Sequence, residues 1–204
     1  MSGLGGLVRD LERDRVVALP VAMHYYGVTR REIVAEGMNL ITMRMQLVAR
    51  QGRHERVTLL VNDDIASARP SANVLRHLAG TVAIRLLIKA PAARFENTAD
   101  RALARLVPDG LWLYDNPDPE VGDAPGSAVE YDAGSYSAQQ IGEKLMAFES
   151  YKYQFWGGVS RARAEFITSL AKTGGIHCAV FEVPWWEPPP EDYYQYRFTS
   201  KVHF

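Results

Sequence analysis

Apolar residues recur along this chain first at helical spacing and later in alternation with helices, and the change divides it into two halves. Over residues 3–14, Leu4, Leu7, Val8 and Leu11 fall on one side of a helical wheel, which predicts a short charged helix. An apolar segment runs from Val17 to Tyr26, and Gly27 breaks it. Thr29, with Glu32 three residues on, has the form of an N-cap and capping box for Arg30–Ala35. After the turn Glu36-Gly37-Met38, Asn39 is expected to cap a longer helix, Leu40 to Arg50, closed by Gln51-Gly52. On it Ile41, Met45 and Val48 share one face, and Asn39, Thr42, Gln46 and Arg50 another. Arg53 to Val61 reads as a basic turn feeding a strand, and Asp63–Pro70 as a loop. Ser71 caps an apolar helix, 73–89, carrying Val74, Leu75, Leu78, Val82, Leu86 and Leu87, and Pro91 ends it. Asn97 or Thr98 is expected to cap a short helix over 99–106.

From there strands and helices alternate. Strands are expected at 110–114, 127–132, 153–159 and 177–183, with a last one within 194–204. Helices are expected at 137–150, with Ile141, Leu145 and Phe148 inward, and at 161–172, with Ala164, Ile167 and Ala171 inward. A Pro-, Gly- and Asp-rich stretch, 115–126, reads as a hairpin loop. The fold class expected is therefore α/β (α+β): a winged helix-turn-helix over 1–70, connecting helices over 71–106, and a mixed sheet flanked by helices over 107–204.

Composition adds three things. The chain has 204 residues, nearly half of them apolar, enough for a core without staples. Its single cysteine, Cys178, excludes an internal disulfide and sits in an apolar strand as a core residue. No apolar run spans a bilayer and residues 1–15 lack a secretory h-region, so a cytoplasmic protein with no membrane partner is expected. The charge is uneven: residues 1–106 hold 16 Lys and Arg against 10 Asp and Glu, and residues 107–204 hold 7 against 14. A basic half joined to an acidic half points to DNA as the partner of the first. In a winged unit the last helix enters the major groove, so Asn39, Thr42, Arg44, Gln46 and Arg50 are expected at base edges and phosphates, with Arg30, Arg31, Arg53 and Arg56 on the backbone. Two-fold DNA readers make a homodimer the expected assembly.

Chemistry concentrates in the second half. Asp109 stands at the mouth of one strand, and Glu130 and Asp132, two residues apart, project to one face of the next. Like charges so placed repel unless a metal ion, a basic side chain or water lies between them. Hard carboxylate oxygens suit Mg2+ or Mn2+, so Asp109, Glu130 and Asp132 are the candidate metal ligands. Lys144 follows on the next helix, with Gln140 one turn earlier on the same side, and both complete the candidate catalytic set. No zinc spacing, P-loop or nucleophile elbow is present. Trp185-Trp186 suits either stacking with bases or covering a sheet edge.

Pro108-Asp109, Glu130-Tyr131-Asp132 and Lys144, in that order, resemble the PD-(D/E)xK nuclease superfamily. With the upstream unit they are similar to the plasmid replication-relaxation proteins, over about residues 16–183 and at the level of pattern. The resemblance implies a winged helix-turn-helix joined to a restriction-endonuclease-like domain, acting in DNA replication, relaxation or processing by metal-dependent phosphodiester cleavage. Asp132 stands where the superfamily has lysine, so Lys144 must supply that charge from the helix. The alternative is an inactive nuclease fold, serving as a DNA-binding replication or transcription regulator that dimerises through its α/β half.

Overall fold

The computed structural model describes residues 3–48, 54–99, 106–114 and 126–188, with the backbone of 195–197. The N-terminal unit runs Leu4–Asp14 (α1), Val16–Ala18 (β1), Leu19–Tyr26 (α2), Arg30–Ala35 (α3), Asn39–Gln46 (β2) and His54–Val61 (β3). Helix α3 starts as its sequence dictates: the Glu32 N–H donates to Thr29 Oγ1 at 3.3 Å and the Thr29 N–H to Glu32 Oε2 at 2.7 Å. The apolar segment before it splits, because Pro20 in the first turn fixes the backbone where α2 begins and leaves the residues before it to pair as β1.

The expected helix over Leu40–Arg50 is instead strand β2 as far as Gln46, so Asn39 caps no helix there. Residues 41–46 satisfy both periods, since Ile41 and Met45 are one helical turn apart and Ile41, Met43 and Met45 also alternate with Thr42, Arg44 and Gln46. The tertiary partner decides. β3 offers Leu59 opposite Ile41 and Val57 opposite Met43, and the order β1-β3-β2 closes a three-stranded antiparallel sheet over the helices. Arg50 and Arg53 lie outside the described residues. The expected loop at 63–70 is largely helix, Asp63–Ala68 (α4): the Ile65 N–H donates to Asn62 Oδ1 at 3.1 Å, and Asp63 and Asp64 suit the first turn.

Ala72–Leu87 (α5), capped by Ser71, packs on both sheets. Leu75, Leu78 and Val82 lie in the core, while Gly80 and Ile84 meet the second sheet. That sheet contains Phe95–Asn97 (β4), Gly110–Leu113 (β5), Gly126–Asp132 (β6), Gln154–Gly158 (β7), Ala179–Glu182 (β8) and Gln195–Arg197 (β9), ordered β4-β5-β6-β7-β8-β9. Pairing is antiparallel from β4 to β6, parallel from β6 to β8 and antiparallel again at β9. Helices Ala138–Ala147 (α6) and Arg161–Gly174 (α7) provide the two parallel crossovers. Asn97 ends β4: its side-chain amide donates to the carbonyls of Asp14 at 3.3 Å and Leu78 at 3.2 Å, and its Oδ1 accepts from the Ala99 N–H at 3.4 Å. The rest of that expected helix, 100–105, lies outside the described residues.

The sheet is thus mixed and flanked by helices. α5 covers the face of Val129, Tyr131 and Phe155; α6 and α7 cover the face of Ala128, Trp156 and Val180. Cys178 is buried, and Trp185 is a core residue rather than an exposed stacking platform. Among the described residues no helix is long and apolar enough to cross a membrane.

Candidate active site

Strand β6 is buried along its whole length. Tyr131 points at α5, so close that a Cβ on Gly80 would lie 2.4 Å from the tyrosine ring. Alternation then turns Glu130 and Asp132 to the α6–α7 side, at the carboxyl ends of the parallel strands. There the chain turns from β6 towards α6 and from β7 into α7, the place where open α/β sheets assemble their sites.

Three segments converge on Glu130, and α5 reaches the carboxylate beside it. Its Oε1 accepts from Lys144 Nζ of α6 at 2.6 Å and from the Tyr136 hydroxyl at 2.9 Å. Its Oε2 accepts from the Asp109 backbone N–H at 3.2 Å. The Asp109 carboxylate stands beside it at the head of β5, where Oδ2 accepts from the Tyr131 N–H at 3.1 Å and meets His77 Nδ1 of α5 at 3.2 Å. Asp109 itself is held by the Thr98 N–H, which donates to its carbonyl at 2.8 Å. The Lys144 ammonium lies 5.1 Å from the Tyr136 ring centre and 5.7 Å from that of Phe148, a cation over two aromatic faces. Glu130 is fully buried, Asp109 nearly so, and Lys144 is only 6% exposed.

Asp132 belongs to a different arrangement. Its Oδ2 accepts from Arg163 Nε at 2.6 Å and its Oδ1 from the Gly134 N–H at 2.7 Å. Arg163 also donates to the Tyr136 carbonyl at 2.5 Å, which pins the loop carrying Tyr136. The three carboxylates therefore do not converge: Asp109 and Glu130 adjoin, and Asp132 is turned to an arginine. Among the described residues no three His, Cys, Asp or Glu side chains are grouped to hold a metal ion. Gln140 is likewise spoken for, since its Oε1 accepts from the Ser137 N–H at 2.8 Å in the capping box of α6.

Burial first, and then the neighbouring Asp109 charge, raise the Glu130 carboxyl above its ordinary range, against the pull of Lys144. Burial and the Glu130 charge also push the Tyr136 hydroxyl up, which keeps it a donor. The cluster can thus hold a proton between carboxylate and lysine, and it pairs two hard oxygen donors with one ammonium group. His77 and Tyr136 carry no motif in the sequence. His77 lies in an apolar helical run, and only the packing of α5 on β6 brings it to Asp109.

The residues assigned to DNA from sequence occupy a second region. Thr42, Arg44 and Gln46 share the outer face of β2 and oppose Thr58, Arg56 and His54 of β3. Thr42 and Thr58 join through their hydroxyls at 3.0 Å. Arg44 and Arg56 are directly opposite and exposed, and no carboxylate among the described residues pairs with either. Arg30 and Arg31 are exposed on α3, whereas Asn39 donates to Asp63 Oδ1 at 2.7 Å.

Comparison of the chain with protein-family models, with curated proteins and with solved structures gave no match.

Proposed function

We propose that the chain binds duplex DNA through its N-terminal unit and carries, in its second half, a nuclease-type site for metal-dependent phosphodiester cleavage. The observation that carries this reading is the 2.6 Å contact of Lys144 with Glu130 beside Asp109. A lysine absent from position 132 is supplied from α6, within a core that runs helix, three antiparallel strands, helix, parallel strand. That order and those residues support a PD-(D/E)xK domain like that of the plasmid replication-relaxation proteins, and with it a role in DNA replication or processing.

For the N-terminal unit, the order helix, strand, helix, helix, strand, strand and the sheet β1-β3-β2 support a winged helix-turn-helix. The recognition helix is then α3, with Arg30 and Arg31, and the β2–β3 hairpin is the wing. Two arginines facing each other across a hairpin repel, and phosphate oxygens are the counter-charge that would make the pair favourable. A two-fold DNA reader of this kind would act as a homodimer.

Asp109 and Glu130 fit a hard divalent cation, Mg2+ or Mn2+, because two carboxylates with hard oxygens stand side by side. Asp132 does not fit, being bound to Arg163. Held there by Asp109 and Glu130, such an ion would supply Lewis acidity for a phosphate oxygen and for an attacking water. Lys144 would offset charge developing on the phosphate, and Tyr136 holds the Glu130 carboxylate by donating to it.

The full chain with Mn2+ is expected to nick or cut supercoiled, linear or branched DNA. Asp109→Ala and Glu130→Ala should abolish cleavage and leave DNA binding intact. If the wild-type chain with Mn2+ leaves all three substrates untouched, the catalytic reading fails. One observation favours the alternative, an inactive fold in a DNA-binding regulator: Glu130 already accepts from three donors within the protein. On that reading DNA binding survives every change at the acidic cluster.

A further inference from the structure

We infer that His77 is a positioning residue of the Asp109–Glu130–Lys144 site, an inference that rests on the metal-site reading. Its imidazole meets Asp109 Oδ2 through Nδ1 at 3.2 Å. An ionised carboxylate only accepts, so the bond requires the proton on Nδ1. The Tyr131 N–H already donates to the same oxygen at 3.1 Å. Two donors on Oδ2 fix the plane of the carboxylate, and among the described residues none bonds to Oδ1. His77 therefore selects which oxygen of Asp109 stays available to a ligand.

The rest of α5 is built to hold that geometry. The Thr81 hydroxyl donates to the His77 carbonyl at 2.8 Å, one turn along the helix. Gly80 lets α5 approach β6, since its Cβ position falls 2.4 Å from the Tyr131 ring, and a Cβ on Gly110 would lie 2.8 Å from the Thr81 methyl. The His77 ring then stands edge-on to Tyr131 at 6.0 Å and tilted to Tyr136 at 6.4 Å. With 12% of its side chain exposed, it has little freedom to turn elsewhere. Hydrogen bonds of this kind behind a metal-binding group typically change metal affinity by about 10- to 100-fold when removed.

Two measurements on the full chain test the assignment. Long-range 1H–15N spectra of the imidazoles should show His77 as the Nδ1–H tautomer, and Asp109→Ala should shift it to Nε2–H; the same tautomer in both proteins overturns the proposal. Calorimetric titration with Mn2+ should show affinity about 10-fold lower in His77→Ala. His77→Asn, whose amide can donate from the place of Nδ1, should keep affinity within about twofold of wild type on the same scale. Unchanged affinity in His77→Ala, or equal loss in both variants, also overturns it. If the wild-type chain takes up no Mn2+, the metal-site reading falls, and the spectra alone decide whether His77 holds Asp109.

Discussion

Lys144 and Glu130, 14 positions apart, form a buried ion pair with Nζ 2.6 Å from Oε1. The helix supplies the ammonium and the strand the carboxylate, and among the described residues neither has another ion-pair partner. Removing one member of such a pair strands the other in a low-dielectric interior, at a cost of about 3–5 kcal/mol. Lys144→Met and Glu130→Leu are each expected to lower unfolding free energy by about that amount, read from urea denaturation. The double variant should recover most of the loss. A loss in the double variant equal to the sum of the two single losses would show that the pair is not coupled.

Stability should also respond to pH through Asp14, which ties α1 to α5. Its Oδ2 pairs with Arg85 Nη2 at 2.5 Å, and Arg85 donates to the Tyr26 hydroxyl at 2.9 Å. Burial, outweighing Arg85, raises the Asp14 carboxyl from 3.8 to about 6. The folded state therefore keeps a proton that the unfolded chain releases. Stability from this group is fully present below pH 3.8 and is lost as pH rises through about 6. The loss is on the order of 3 kcal/mol, and Asp14→Asn should flatten the slope in that window. Denaturation series from pH 3.5 to about 6.5 would read it, and an unchanged slope in Asp14→Asn would rule the group out.

Arg44 and Arg56 separate binding from stability. Arg44→Ala and Arg56→Ala should each weaken binding to duplex DNA and reduce the salt slope by about one, measured by fluorescence anisotropy. Because the two guanidinium groups oppose each other across β2 and β3, either change should leave stability unchanged or raise it by a few tenths of a kcal/mol. Undiminished affinity in both variants would remove the hairpin from the DNA surface.

Gly80 tests the seating of α5. Glycine to alanine inside a helix ordinarily gains about 0.5–1 kcal/mol. Here the added methyl would fall 2.4 Å from the buried Tyr131 ring, so α5 must move off β6. Overpacking should win, and Gly80→Ala is expected to lose about 1–3 kcal/mol. If the reading of His77 holds, the same variant also weakens Mn2+ uptake.

Much of this was legible one residue at a time. The capping box of α3, the Ser71 cap of α5 and the alternation of β6 rest on short-range rules, and Thr29, Ser71 and the Glu130–Asp132 spacing announce them. Lys144 was legible only through a motif, because a lysine on a helix has no fixed reach. The strand at 39–46 was not legible, since Ile41 and Met45 satisfy either period until β3 supplies Val57 and Leu59.

By itself the sequence determined where most helices and strands of the second half begin, which face of β6 carries carboxylates, and that basic and acidic residues divide between the halves. Those properties depend on neighbours within a turn or two of chain. Only the tertiary structure decided what the carboxylates meet. Asp132 went to Arg163 and Glu130 to Lys144, while Asp109 gained His77, through contacts 14 to 32 positions apart. Hydrogen-bond partners at such separations are set by how closely helices pack on the sheet. That distance in turn was set by a missing side chain at Gly80.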